Sequence, residues 1–529
     1  MPGNAKTTIC MKIKNYICIP LLFVLTSEKL KAQQEKVDLV NVSQIKDEAF
    51  NRSKVMDILF NLTDVSGPRL TGSVNLKNAQ EWARKQLEDW GMVNAKLELW
   101  GGFGKGWEVQ KSYVAMTVPY YQELIGIPKA WTPGTNGLVH AAAVLLKAEN
   151  EEELEKFKGK LECKIVILPS TAEIKPGIKP EFTRYTDEEL KNLYLDKNIA
   201  PDPDDNTFDR AKYRAMRTFR QKRSEFLIAE KPLAVAGARG GTMGAYWTSN
   251  GASYAVDAKP VLPELEMSSE HVNRLARLLD AGKTVELELE IKTAFNDKDT
   301  LQYNVTAEIP GTDKSLKNEV VMIGAHLDSW HAATGATDNA AGSAVMMEVM
   351  RILKTLDMKP RRTIRVALWS GEEQGLLGSK GYVKNHFADP DAMALKPEHK
   401  NLSAYYNLDN GGGKIRGIYL QGNDALRPVF EAWLEPFHDL GATTVTTRNT
   451  GGTDHLSFDA VGLPGFQFIQ DEMDYDTKTH HTNMDTYDRI QKADLMQCAA
   501  VIASFVYNTA MRDEKLTRKP LPKPKAEKK

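Results

Sequence analysis

Val320-Val-Met-Ile-Gly-Ala-His-Leu-Asp328 is an apolar run that ends in a histidine and an aspartate, and Gly335-Ala-Thr-Asp-Asn-Ala-Ala-Gly342 follows it closely. The run predicts a buried strand, and the helical spacing of the apolar residues after it predicts a helix. Open α/β sheets place their chemistry where strands end, so His326 and Asp328 are predicted at an active edge. Asp338 lies near the predicted helix start, where a carboxylate is electrostatically favourable. These side chains predict the first half of a metal site.

Three later predicted strands also end in acids or histidines. The strand that ends at Trp369 precedes Glu372 and Glu373, the strand Leu402–Leu408 precedes Asp409, and the strand Pro464–Ile469 leads through an acidic loop to His480 and His481. In a parallel sheet these ends meet at one edge. Mixed histidine and carboxylate ligands suit zinc, and five ligands with one shared carboxylate suit two zinc ions about 3.5–4 Å apart. Of two adjacent glutamates, one can bind metal while the other moves protons.

The length of the chain, 529 residues, exceeds what one hydrophobic core usually organises. Short apolar strands between Gly- and Pro-containing loops indicate a β-rich insert with a helical excursion. The predicted organisation is a signal peptide (1–33), the first part of a catalytic domain (34–118), the insert (119–295), the second part with the metal site (296–512), and a disordered basic tail (513–529).

The N-terminus predicts export from the cytoplasm. Lys12 and Lys14 precede the apolar run Tyr16–Leu25, and Ala32 offers a small residue at a cleavage point. The run is too short to span a bilayer comfortably, although an uncleaved anchor is the alternative. We therefore expect a periplasmic or extracellular protein without stable membrane insertion after cleavage.

The charge balance argues against nucleic acid as a partner. Lys and Arg together number 69 and Asp and Glu 70, which gives a formal net charge of -1. Nucleic-acid binders need a concentrated basic surface. A peptide is the expected partner instead, and a homodimer built through the insert stays open.

The strand-end motifs resemble those of the co-catalytic dizinc exopeptidases. The resemblance rests on Gly324–Ser329, Gly335–Gly342, Ser370–Ser379, Asn407–Gly411 and His481–Thr486. That family includes secreted leucyl-type aminopeptidases and plasma glutamate carboxypeptidase, and the doubled histidine and large insert resemble the latter's branch most. The insert itself resembles a protease-associated domain. The resemblance implies a three-layer α/β/α zinc-peptidase domain with a mixed, mostly parallel central sheet, interrupted by the β-rich insert.

The resemblance also implies a role for each site residue. His326 and Asp409 would bind one zinc ion, Glu373 and His481 the other, Asp338 would bridge them, Glu372 would be the general base, and Asp328 would orient His326. Weaker candidates for contact with substrate are Thr453, Asp454, His455 and His480. For His455 a purely structural hydrogen bond is an equal alternative.

The implied reaction is hydrolysis of dipeptides or short peptides near a free terminus. A water molecule between the zinc ions would lose its proton to Glu372 and attack the peptide carbonyl, and Glu372 would return the proton to the leaving amine. Two alternatives stay open: a single-zinc acyl transferase of the glutaminyl-cyclase type, and a catalytically silent homologue of the transferrin-receptor type.

Overall fold

The computed structural model describes residues 35–170, 174, 177–197 and 210–524. The predicted signal peptide, residues 1–33, lies outside the described residues. Among the residues that are described, no helix has both the length and the apolar character that a membrane span requires.

Helices and strands alternate through much of the described chain. The α-helices are α1 (Leu39–Asn51), α2 (Val55–Phe60), α3 (Val74–Asp89), α4 (Glu151–Glu155), α5 (Asp187–Leu195), α6 (Arg210–Glu230), α7 (Ser269–Asp280), α8 (Ala341–Thr355), α9 (Leu377–His386), α10 (Arg427–Leu434), α11 (His455–Asp459) and α12 (Lys492–Met511). The strands are β1 (Val93–Gly102), β2 (Gly106–Val118), β3 (Gln122–Glu123), β4 (Gly126–Pro128), β5 (Val139–Leu145), β6 (Ile165–Ile167), β7 (Ala234–Gly237), β8 (Glu264–Met267), β9 (Glu286–Asn296), β10 (Leu301–Ile309), β11 (Val320–His326), β12 (Thr363–Trp369), β13 (Ala388–Asp389), β14 (Ala394–Leu395), β15 (Leu402–Asn407), β16 (Ile415–Tyr419), β17 (Thr444–Thr446) and β18 (Gly465–Gln470).

The central sheet has the strand order β1-β10-β12-β11-β15-β18-β16-β17. Its middle strands β12, β11, β15 and β18 run parallel, whereas β1, β10 and β16 add antiparallel pairings. At one end of the sheet, Gly102 of β1 lies opposite Leu301 of β10. The predicted α/β class and the mixed, mostly parallel sheet are confirmed.

Apolar side chains cover both faces of the central sheet. In β11, Val321 and Ile323 belong to one buried cluster with residues of α8 and α12, and Met322 belongs to another with residues of α9 and α11. Each fully buried side chain of this size contributes about 1.5–3 kcal/mol. Helices therefore lie on both sides, and the predicted three-layer arrangement is confirmed.

The N-terminal helices α1, α2 and α3 join the first of these clusters. Ile45, Leu59 and Leu76, one from each helix, are buried in it. A buried ion pair, 2.7 Å between Arg351 Nη1 of α8 and Glu48 Oε1 of α1, accompanies the apolar contacts. This block is part of the central domain although the insert separates it in sequence.

A second sheet, with the order β3-β2-β9-β5-β6-β7-β8-β4, forms the insert around its own buried cluster. The chain enters through β2 and leaves through β9, and these strands pair along their length from Gly106 opposite Asn296 to Val118 opposite Glu286. The predicted start of the insert at residue 119 is therefore late. The strand pattern of β2 fits either sheet, and only the tertiary pairing assigns it to the second.

The C-terminal segment corrects another expectation. Residues 513–524 pack against the central domain: Leu516 is 2% exposed, and Arg518 Nη2 donates to the carbonyl oxygens of His399 and Leu402 at 2.9 and 2.6 Å. The prediction of a disordered tail is wrong for this part, because the buried Leu516 and the hydrogen bonds of Arg518 hold it. Residues 525–529 of the predicted tail lie outside the described residues.

Candidate metal centre

The predicted strand ends meet at one edge of the central sheet. His326, the last residue of β11, pairs in register with Trp369 at the end of β12, and Gly324 pairs with Asn407 at the end of β15. The segments that follow β12, β15 and β18 carry the other acids and the paired histidines. The structure therefore gathers all the predicted ligands, which are His326, Asp338, Glu373, Asp409 and His481, and places Glu372 beside them.

Asp338 lies between the two histidines. Its Oδ1 is 3.2 Å from His326 Nε2, which also lies 3.3 Å from Asp409 Oδ1. Its Oδ2 is 3.2 Å from His481 Nε2, which lies 2.9 Å from Glu373 Oε2. Each oxygen of the central carboxylate thus faces its own pair of partners.

These spacings are those of atoms that share a metal ion. Ligand atoms 2.0–2.1 Å from a tetrahedral zinc ion lie roughly 3.3 Å from one another. The separations on the His326 side and on the His481 side are close to that value. The donor set of imidazole nitrogens and carboxylate oxygens is also that of zinc.

Several buried carboxylate oxygens at the centre receive no hydrogen bond of acceptable geometry from the described chain, although two of them lie 3.2–3.3 Å from a histidine nitrogen. They are Asp338 Oδ2, Glu373 Oε1 and Asp409 Oδ1. Buried polar atoms almost always have a partner, so each such atom calls for a missing one. Because they converge beside the two histidines, these oxygens fit a cation.

The centre concentrates negative charge away from water. Burial raises the pKa of Glu372 well above its usual value and that of Glu373 to about 7. Burial alone would lower the pKa of His481, but Glu373 and Asp338 outweigh it and raise that pKa to about 11. The carboxylates therefore require positive charge beside them, which cations would supply.

The comparisons with known proteins bear on these residues directly. Residues 304–506, which contain every predicted ligand, match the profile of Peptidase family M28. This segment is similar to that family over its whole matched length, and we call residues 304–506 the M28 domain. The insert lies outside the matched residues, and its resemblance to a protease-associated domain stays a prediction.

Similar proteins extend beyond the M28 domain. Carboxypeptidase Q of Mus musculus is 26% identical over 457 residues, which span 86% of this chain and 86% of that protein. The crystal structure of a Peptidase M28 precursor from Shewanella amazonensis SB2B is 26% identical, with a TM-score of 0.64 over 92% of this chain and 98% of that chain. A zinc aminopeptidase from Bacillus subtilis, 18% identical with a TM-score of 0.53 over 87% of this chain and 96% of its own, shares the fold.

Asp328 of the M28 domain touches His326 through its main chain. His326 Nδ1 lies 2.9 Å from the carbonyl oxygen of Asp328, which can only accept, so Nδ1 carries the hydrogen and Nε2 faces the centre. The Asp328 carboxylate accepts from the backbone N–H groups of Glu372 and Glu373, both at 3.3 Å, and from the Thr71 hydroxyl at 3.0 Å. Asp328 thus holds the two glutamates through its carboxylate and the histidine through its carbonyl oxygen.

Arg69 supports the centre, and the sequence analysis missed it. Its side chain is buried and donates to the carbonyl oxygens of Leu327 at 2.7 Å, Thr334 at 2.5 Å and Gly335 at 2.8 Å. Burial lowers the pKa of this arginine to about 10. The signal in the sequence was an arginine inside a Gly- and Pro-containing loop, but nothing local connects that loop with residues 327–335.

Asp485, which belongs to the motif His481–Thr486, holds the backbone on both sides of the bond between Thr337 and Asp338. Its Oδ1 accepts from the backbone N–H of Thr337 at 2.6 Å and its Oδ2 from that of Asp338 at 3.1 Å. Burial, reinforced by the nearby Asp338, raises the pKa of Asp485 to about 7. Asp485 fixes the backbone that presents the central carboxylate.

The weaker substrate candidates lie in two places. Thr453, Asp454 and His455 are buried under the M28 sheet edge: Thr453 accepts from Asn407 at 2.9 Å, and His455 Nε2 lies 3.2 Å from the carbonyl oxygen of Thr450. These contacts agree with a structural role for His455. His480, by contrast, is partly exposed, and its Nε2 is 4.0 Å from Asp338 Oδ2, farther than that of His481.

Proposed function

We propose that the chain is an exported dizinc exopeptidase that hydrolyses dipeptides or short peptides near a free terminus. The observation that carries the proposal is the placement of Asp338, whose two oxygens each lie 3.2 Å from the Nε2 of a different histidine. Each of these histidines lies 3.3 or 2.9 Å from a further carboxylate, that of Asp409 or Glu373. In this arrangement His326 and Asp409 would hold one zinc ion, Glu373 and His481 the other, and Asp338 both. Zinc, when bound there, lowers the pKa of a water molecule and polarises a carbonyl oxygen.

Glu372 is the proposed general base. Its Oε2 lies 4.0 Å from His326 Nε2, outside the ligand spacing but within reach of a water molecule at the centre. The Asp328 carboxylate holds its backbone N–H at 3.3 Å, which restricts the position of the side chain. In the proposed reaction Glu372 takes a proton from water and returns it to the departing amine.

The comparisons support a peptidase, and an experiment must decide which terminus of the peptide it attacks. The relatives include a protein named carboxypeptidase Q and one described as a zinc aminopeptidase. Both names belong to exopeptidases, which remove residues from opposite ends of a peptide. We therefore propose the shared class and test the end that is attacked.

The test combines metal analysis with a peptide panel. We expect about two zinc ions per chain, in keeping with a two-metal hydrolytic centre, and cleavage of peptides with one free terminus that stops on treatment with chelator. Blocking each terminus in turn identifies the end that is recognised. Cyclisation of N-terminal glutamine with one zinc ion would instead indicate an acyl transferase, and zinc binding without turnover on any peptide would indicate a silent homologue.

The proposal of export depends on the predicted signal peptide, residues 1–33, and is tested separately. The precursor expressed in a bacterial host should appear in the periplasm or medium with its N-terminus shortened by the predicted signal. N-terminal sequencing of the purified protein measures this. Retention of the full N-terminus in a membrane fraction would instead support the uncleaved anchor.

A further inference from the structure

One loop of the insert lies directly on the histidine segment of the M28 domain. We call residues 239–250 the roof loop. The backbone N–H of Thr248 donates to the carbonyl oxygen of His481 at 2.8 Å. Asn483 accepts from the N–H of Tyr246 at 2.9 Å through Oδ1 and donates to the carbonyl oxygen of Gly244 at 3.2 Å through Nδ2. The contact depends mainly on backbone groups of the loop and the Asn483 side chain, with a longer hydrogen bond of 3.5 Å from Lys478 Nζ to the Thr242 hydroxyl.

Glycine shapes the roof loop. Gly241 has a φ of +87°, and a Cβ atom there would lie 2.2 Å from the carbonyl oxygen of Ala245. Only glycine accommodates both the left-handed backbone and the close approach. The resulting turn brings Trp247 over the paired histidines.

Two indole rings flank His481. The ring of Trp247 lies 6.4 Å from that of His481 and 5.6 Å from that of His480, in both cases edge to face. Trp330, from the M28 side, lies 5.9 Å from the His481 ring in a similar orientation. Aromatic rings in such arrangements are stable packing partners, so these indoles form two walls beside the centre.

Solvent exposure marks the side from which the centre is reached. The side chains of His480 and His481 are 32% and 30% exposed, whereas that of His326 is 1% exposed. The cavity bounded by Trp330, Asp338 and His481 measures about 10 Å³, roughly the space of one water molecule. The exposed histidines therefore mark the accessible side of the centre, and Trp247 lies on that side.

We propose that Trp247 is a specificity-determining residue that limits the length of the peptide that reaches the metal centre. The inference rests on the proposed peptidase function and adds a physical limit on its substrates. The indole beside the paired histidines narrows the approach to the centre, which hinders the continuing chain of a long peptide more than it hinders a short peptide. Because the roof loop is held by backbone groups and Asn483, removing the indole opens space without detaching the loop.

The experiment compares wild-type protein with Trp247→Ala on a dipeptide, a tripeptide and a tetrapeptide of one residue type. We expect the ratio of kcat/KM for tetrapeptide to dipeptide to rise about tenfold or more, the scale that pocket shape can supply. The matched control is Tyr121→Ala, which removes an aromatic residue of the insert that is 67% exposed. Its ratio should equal that of the wild type, and an unchanged ratio in Trp247→Ala overturns the proposal.

The variant Asn483→Ala and the rate of zinc extraction test the proposal in the cases in which Trp247→Ala does not fold or the wild type cleaves no peptide. Asn483→Ala removes the side chain that holds the roof loop and should shift the ratio in the same direction, so it decides the matter if Trp247→Ala fails to fold. The rate at which a bulky chelator extracts zinc should also rise in either variant. If the wild type binds zinc but cleaves no peptide, the proposed function fails, and an unchanged extraction rate then separately overturns the role of Trp247. A chain that binds no zinc overturns both.

Discussion

The central sheet and the insert meet at the same centre but contribute to it differently. The sheet presents charged side chains from successive strand ends, and the fully buried Asp328, Asp485 and Arg69 hold their backbones. The insert contributes backbone hydrogen bonds and an indole through one loop. The candidate metal ligands and the groups that cover them therefore come from separate parts of the chain. Substitutions in the two parts should therefore change different measurements.

The largest effect is expected at Glu372. Glu372→Gln keeps the size of the side chain but removes the proton acceptor, so kcat should fall by about 10²–10⁴-fold. Zinc content, measured by atomic absorption, should match the wild type because Glu372 lies outside the ligand spacing. Glu225→Gln, at an exposed position of α6, is the control. Normal turnover in Glu372→Gln would contradict the assignment of the base.

The next largest effect is expected for substitution of Arg69, which should lower the free energy of unfolding. Arg69→Met leaves several buried carbonyl oxygens without donors, at about 1–3 kcal/mol for each group that finds no substitute. We expect the free energy of unfolding in urea to fall by about 3 kcal/mol or more. Arg84→Met, which removes ion pairs at the surface of α3, should change it far less. Equal losses in the two variants would show that Arg69 does not organise the centre.

Substitution of Asp485 should lower the affinity for zinc more than the free energy of unfolding. Asp485→Asn replaces an acceptor of two N–H groups by an amide that can accept only one, so Asp338 loses part of its support. Zinc affinity, from titration against a fluorescent chelator, should drop about 10–100-fold, as for other groups that orient ligands. Asp439→Asn, 67% exposed on the surface, should retain wild-type affinity.

The smallest effect is expected where the insert's excursion meets the histidine segment. Glu181→Gln weakens the 3.0 Å ion pair with Lys478, and Glu181 is 39% exposed. Solvent screens such a pair, so the free energy of unfolding should change by about 1 kcal/mol or less. Zinc content should not change. A large loss of zinc would show that the insert helps to hold the metal, which would contradict the assignment of metal binding to the central sheet alone.

Local patterns were enough to predict the central sheet. Apolar runs that end at or shortly before His326, Glu373 and Asp409 predict both a buried strand and the candidate ligands at its end. The two predictions come from neighbouring residues of the sequence. The three-layer fold and the gathering of these side chains follow from parallel strands.

Contacts between distant segments were beyond such patterns. Arg69 and Leu327 are far apart in sequence, and so are Trp247 and His480, and no periodicity links them. The start of the insert was misplaced because an isolated strand does not reveal its sheet. Leu516 was placed in a disordered tail because a single apolar residue among charges gives no periodic signal.

The pairing of Gly102 with Leu301 shows where the insert is connected to the central sheet. These residues end β1 and begin β10, antiparallel neighbours whose ends already touch without the residues between them. From the viewpoint of the central sheet, the entire second sheet with its helices occupies the position of a β-hairpin turn. Growth at such a position costs little, because the two chain ends are held together however long the connection becomes. The connection at this position is long enough for its own loop, through Thr248, to reach back to His481 at the edge of the central sheet.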